Sequence, residues 1–276
     1  MKRRDFVTAL AGSASLALGT PQDQRAQRLL RIKARSRRHG IAAEQTRVWK
    51  PGETAIVICD MWDGHYCRSS VRRIDEMAPR MNATIAAARE LGVQIIHAPS
   101  DTMSVYAGTP QRQRMIAAQR AEPPVPIARW CHLDRATEPP LPIDDAVEPC
   151  DDEVVGERVR RYTRQHPGLT IVEPDGISDS GEEIYSFCRQ QGIRHIALMG
   201  VHLNMCVLGR SFGIRQLTRL GFEVVLVRDL TDAMYDPRQA PWVSHARGNE
   251  LMAAHVEQYW CPSILAEDLT RPQGKS

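Results

Sequence analysis

The sequence predicts an α/β protein with a mainly parallel sheet between two layers of helices, and three observations carry that expectation. Short apolar runs of strand length recur along the chain, amphipathic stretches of helical period separate them, and Gly or Pro marks the joins. Residues 54–59 (Thr, Ala, Ile, Val, Ile, Cys) form a mostly apolar run ending in Asp60, as suits a strand buried on both faces. Residues 75–91 predict a helix with Met77, Met81, Ile85 and Ala88 on one stripe, Pro79 near its first turn and Gly92 closing it. A second strand follows at 93–97. Regularity then lapses over 100–168, where eight prolines between Pro110 and Pro149 interrupt any long element. So long an irregular stretch reads as an insert covering a pocket. Its acidic end, from Asp144 to Glu153, lacks the spacing of a calcium loop and reads as solvated surface. Strands at 169–172, 193–199, 222–227 and 261–265 then alternate with helices at 181–190, 206–220 and 244–259. In such sheets ligands bind beyond the carboxyl ends of the strands. Asp60, His97, Glu173 and the turn from Gly200 to Cys206 fall at those ends.

At 276 residues with 42% apolar content, the chain is long enough to bury one large core. The net charge is +3, but residues 1–50 hold twelve Lys/Arg against three Asp/Glu, so the remaining 226 residues carry −6. Basicity belongs to the beginning of the chain, which speaks against a nucleic-acid partner. Lys2, Arg3 and Arg4 precede a 13-residue uncharged run, Val7 to Gly19, too short to span a bilayer. That pattern resembles a twin-arginine export signal and predicts an exported protein without stable membrane insertion, a cytoplasmic location being the alternative. The expected organisation is a signal segment (1–20), a basic linker (21–51), an α/β domain (52–265) containing the insert over 100–168, and a tail (266–276). Seven scattered cysteines, odd in number and never spaced CxxC, argue against a disulfide scaffold or a zinc knuckle.

Two segments are specific. One is the apolar strand ending in Cys59, Asp60, Met61 and Trp62; the other runs Met199, Gly200, Val201, His202, Leu203, Asn204, Met205, Cys206, Val207 before a helix and a strand. Together they resemble the isochorismatase-like cysteine hydrolases, which include nicotinamidases and N-carbamoylsarcosine amidases, over residues 52–265. The resemblance implies a Rossmann-like three-layer sandwich with a six-stranded sheet, a homo-oligomer, and a small-molecule amide or carbamoyl substrate. It also implies Asp60 as general base, Cys206 as nucleophile, and a cis Val201–His202 peptide shaping an oxyanion hole with the N–H groups of His202 and Cys206. Independently of the family, a cysteine heading a helix gains from its positive end, which favours thiolate and oxyanion charge.

The family's lysine is missing, because no lysine lies between Lys50 and Lys275. Its expected place, after the strand at 169–172, holds Glu173. A carboxylate about 5 Å from the sulfur at an effective dielectric near 20 costs roughly 3 kcal/mol, or about two pKa units. A helix end returns about 1 to 2 kcal/mol. Two ionised carboxylates would therefore keep Cys206 a thiol. Three repairs are open: Asp60 and Glu173 share a proton; a zinc-like divalent metal sits among Asp60, Glu173 and histidines from His65, His97 and His202; or an arginine such as Arg164 supplies charge without delivering a proton. In the nicotinamidases a metal is held just after the second strand, where Asp101 stands here without a neighbouring histidine. Asp60, Asp101, His65, His97 and Glu173 are thus the metal candidates, though the favoured reading requires no cofactor. Trp62, His65, Tyr66, His97, Met103, Tyr106 and Trp130 are candidates for the pocket lining. A metal-dependent hydrolase on the same fold and a small-molecule binding protein without catalysis remain as alternatives.

Overall fold

A computed structural model describes residues 29–271; the twin-arginine-like segment and the last residues of the tail lie outside the described residues. Among the described residues the sheet has eight strands in the order β2-β1-β8-β7-β6-β3-β4-β5, two more than the resemblance implies. The core strands β3 (Thr54–Cys59), β4 (Gln94–Ala98), β6 (His195–Val201) and β7 (Glu223–Asp232) run parallel, with the two-residue β5 (Gly176–Ile177) and β8 (Ser263–Ile264) flanking them.

The additional strands come from residues expected to be a basic linker. β1 (Leu30–Arg38) and β2 (Ile41–Trp49) form an antiparallel hairpin turned at His39 and Gly40, and β1 pairs with β8 through Arg35 and Ser263. Leu30, Ile32 and Ala34 alternate with Arg31 and Lys33 and are buried, so period-two patterning lies beneath the charge. Counted as charge alone, the same residues read as a solvated arm.

Side chains alternate across β3. Ala55, Val57 and Cys59 pack with α3 (Gly181–Gln190), α4 (Ile214–Arg219) and α5 (His245–Tyr259), burying Phe187, Phe212, Leu217 and Met252 on one face. Ile56 and Ile58 pack on the other with Ile74, Met81 and Ile85 of α1 (Arg68–Leu91) and with Leu30 and Ile32 of the hairpin. α1 begins seven residues before the expected start, which leaves Pro79 inside the helix; Gly92 closes it at φ +97°. Within the irregular stretch, α2 (Pro110–Ile116) starts at a Thr109 cap, and Met115, Cys131, Glu138, Ile143, Cys150 and Gln165 are buried. The stretch is a packed wall. Among the described residues, no helix is long and apolar enough to cross a membrane.

Candidate active site

The carboxyl ends of β3, β4 and β6 meet at Asp60. This residue is fully buried and holds φ at +48°, a backbone region that non-glycine residues seldom occupy. Such strain persists only where surroundings over-determine it, and functional sites are common places for it. Asp60 Oδ1 accepts the Ser100 N–H at 2.8 Å, and its Oδ2 accepts Arg210 Nε at 2.9 Å.

Cys206 lies next to Asp60. After β6 the Val201–His202 peptide is cis, and residues 203–207 make one wide turn in which Val207 N–H reaches back to the His202 carbonyl at 3.1 Å. The turn brings the thiol beside the Asp60 carboxylate, whose charge raises it, while the His202 backbone N–H offsets part of that rise. Gly200 makes this approach feasible: at φ +115°, an added Cβ would lie 2.0 Å from the Cys59 carbonyl oxygen. Cys206 keeps 9% of its surface open.

The expected helix over 206–220 is broken. Residues 210–213 leave helical geometry, and α4 restarts at Ile214, so the helix-end contribution expected at Cys206 comes from little more than one turn. A guanidinium takes up that role. Arg210, four residues after Cys206, returns over the site on the same face, with its charge 5.6 Å from the Trp130 ring and Nη2 3.8 Å from Asp101 Oδ2. Burial raises the Asp60 carboxyl, and Arg210 and Ser100 only partly pull it back. Burial, then the Asp60 charge, pushes the Cys206 thiol well above its usual range, with Arg210 opposing. Burial would lower Arg210, but the neighbouring anions more than compensate and keep it cationic. The resting arrangement is therefore a thiol beside an Asp60–Arg210 ion pair.

Glu173 is elsewhere. The strand expected at 169–172 forms at Gly176–Ile177 instead, so Glu173 precedes it rather than following it and lies away from the rim that carries Cys206. Its side chain is 68% exposed and pairs with Arg114, not with Asp60. Proton sharing between the two acids has no geometric basis. Arg164 engages Asp63 through its backbone N–H and carbonyl, and it is Arg210 that reaches Asp60.

The proposed metal donors are not assembled either. His97 is fully buried between Gln165, at 3.1 Å, and Asp175, at 3.2 Å, which also removes it from the pocket lining. Asp60 is committed to Arg210 and Ser100, and Asp101 faces the same guanidinium. His65 sits with its ring 5.1 Å from that of His202; burial holds them neutral, lowered to about 4 and about 3 respectively. Among the described residues, the one cluster with metal-ligand spacing is Cys67, Cys150 and Asp152. These residues do not fit a zinc-like ion at Asp60.

Of the other pocket candidates, Trp62 stacks on Tyr162 at 4.2 Å and donates its indole N–H to the Ser100 carbonyl at 3.0 Å. Tyr106 is buried and accepts the Gln165 N–H at 2.8 Å, a structural tie. Tyr66 packs beside Cys67 and donates to Glu148 at 3.3 Å. Met103 opens the short turn that carries Tyr106. Sequence reasoning passed over Arg210 and Tyr162. The spacing from Cys206 to Arg210 was the available signal for the first; nothing local marked the second.

Comparison with known proteins agrees with this geometry. Residues 54–255 match the isochorismatase domain family. Similar solved structures include a cysteine hydrolase from Pseudomonas syringae pv. phaseolicola, 16% identical, covering 81% of this chain and 93% of that one with a TM-score of 0.49. An isochorismatase from Pseudomonas putida is 14% identical, covering 79% and 90% with a TM-score of 0.46. N-carbamoylsarcosine amidase from Thermoplasma acidophilum is 12% identical, covering 67% and 87% with a TM-score of 0.37. At these scores the structures carry no assignment, and no curated protein matches the sequence. The domain match extends over most of the chain and spans both the strand that ends at Asp60 and the turn that bears Cys206, so the protein belongs to the isochorismatase family of hydrolases.

Proposed function

We propose that the protein hydrolyses a C–N bond, amide or carbamoyl, of a small molecule through an acyl-enzyme on Cys206, with Arg210 taking the electrostatic place of the family's lysine. The observation that carries this reading is the 2.9 Å contact of Arg210 Nε with Asp60 Oδ2 directly beside the Cys206 thiol. Moving the thiol proton to Asp60 converts carboxylate and thiol into carboxyl and thiolate. The net charge of the trio is unchanged, and the anion moves from one group near the guanidinium to another. That equality removes most of the repulsion that a second carboxylate would have imposed.

Cys206 Sγ would attack the carbonyl carbon, Asp60 would take the thiol proton and hand it to the leaving nitrogen, and water would then release the acyl group. The His202 and Cys206 N–H groups are the proposed donors to the developing oxyanion. Arginine cannot deliver the proton in a protein, so Asp60 has to serve both proton transfers. Export and assembly into homo-oligomers belong to the same proposal; cell fractionation and light scattering test them.

Intact-mass analysis during turnover of a panel of small amides and carbamoyl compounds tests the reading. A mass increment on wild type that vanishes in Cys206→Ala is expected. Turnover that survives Cys206→Ala and is lost to a chelator would select a metal-dependent hydrolase, and binding without turnover would select a binding protein.

A further inference from the structure

Outside the site, one cluster of nucleophilic side chains has no role in the reaction proposed above. Cys67, at the residue preceding α1, and Cys150, in the irregular wall, are both fully buried, and their sulfurs lie within 4.8 Å of each other. They pack with Met234, flanked by Tyr66, Val155 and Met205. We propose that these two thiols form a reversible disulfide that fastens residues 145–152 of the wall to the start of α1.

Polar ties already hold the two segments in register. Asp152 accepts the Arg68 N–H at 2.8 Å, the Ser69 N–H at 2.8 Å and the Ser69 hydroxyl at 2.7 Å. Arg73 grips Asp151 at 2.7 Å, and Arg238 donates to the Asp152 carbonyl at 2.9 Å. The two segments are therefore held with the sulfurs within 4.8 Å, and turning Cys67 Sγ away from the Asp151 and Asp152 carboxylates, 3.7 and 3.8 Å off, is the torsional change that closure to bonding distance requires. A metal ion fits the same cluster poorly. The Asp152 oxygens are spent on helix-start donors, and the positive end of a 24-residue helix opposes a cation there.

The step balances with a small-molecule disulfide as oxidant. Burial and the neighbouring Asp152 and Asp151 charges hold Cys67 as a thiol in the closed wall, so the step begins when the wall opens: Cys67, as thiolate in water, attacks one sulfur of that disulfide and releases a thiol. Cys150 then attacks Cys67 Sγ in the mixed disulfide and releases the second thiol. Two protein thiols are oxidised, the reagent is reduced to two thiols, and the two protons pass to the leaving groups. The bridge closes a loop of more than 80 residues, and it lies next to the turn of the proposed nucleophile: Asp145 of the same wall accepts the Asn204 amide at 2.8 Å, and Met205 packs on the cluster.

The test incubates the full chain in glutathione buffers from reducing to oxidising, quenches with N-ethylmaleimide, and maps linked peptides. A loss of about 2 Da is expected, with fragmentation placing the link between Cys67 and Cys150 rather than at Cys59. Thermal unfolding of the oxidised form is expected about 10 °C above the reduced form. Cys67→Ser and Cys150→Ser should each abolish both effects, while Cys206→Ala leaves them in place, so the bridge stands or falls apart from the hydrolase reading. Folded protein without a linked pair in the most oxidising buffer, or linked through other cysteines, overturns the proposal.

Discussion

Arg210, and not Glu173, is the charged partner of Asp60 beside the Cys206 thiol. If the guanidinium supplies the positive charge, Arg210→Met leaves Asp60 as an uncompensated buried carboxylate beside the sulfur. The iodoacetamide rate of Cys206 at pH 8 is then expected to fall at least about 10-fold, since roughly 3 kcal/mol of repulsion returns. Arg210→Lys should retain more reactivity than Arg210→Met. Glu173→Gln is expected to alkylate like wild type, because its carboxylate is exposed and paired with Arg114. An equal response from Glu173→Gln and Arg210→Met would contradict the assignment. Asp60 and Cys206 are paired in the sequence by the resemblance of their segments to the family; strand-end geometry alone put His97 and Glu173 on the same footing. Arg210 was hidden by the expectation that the cation must come from a strand end. Four residues after Cys206, it needed the break at 210–213 to become visible as a neighbour of Asp60.

Among the elements, the main strands and helices were readable because their apolar runs are long, whereas the two-residue β5 carries almost no pattern. That weakness moved the expected strand by several residues and took Glu173 to the wrong rim. The hairpin was missed for a different reason: its inward residues are few and its outward ones densely charged. Because Ile32 is fully buried against the α1 face, Ile32→Ala is expected to destabilise the fold by about 2 to 5 kcal/mol in urea unfolding. A true solvated linker would show no change. At the turn after β6, Gly200→Ala sets a Cβ against the Cys59 backbone and combines that clash with φ +115°. Loss of soluble folded protein, or a stability drop above about 3 kcal/mol, is expected by circular dichroism.

Across the whole molecule, buried ionisable groups set the pH response. Burial depresses His202 to about 3 and His65 to about 4, so both are neutral when folded and take up protons more readily once unfolded. Their contribution to stability is complete above the unfolded value near 6.5 and is lost as pH falls toward 4 and then 3. Glu138 of the wall works in a lower window. Burial would raise it, but hydrogen bonds from His255, Arg215 and Trp260 bring it to about 2, so stability it supplies above about 4.5 is lost toward 2. Urea midpoints are expected to decline from pH 6.5 downward, with His65→Asn flattening the upper part; a midpoint constant from pH 7 to 4 would contradict this. The strand order has a consequence for how the chain is made. β1 docks on β8, 228 residues later by the Arg35–Ser263 pair, so the first of the described strands waits for the last of them. Until residue 263 leaves the ribosome, Leu30 and Ile32 have no completed seat, and a chain halted before that point carries its hairpin unburied.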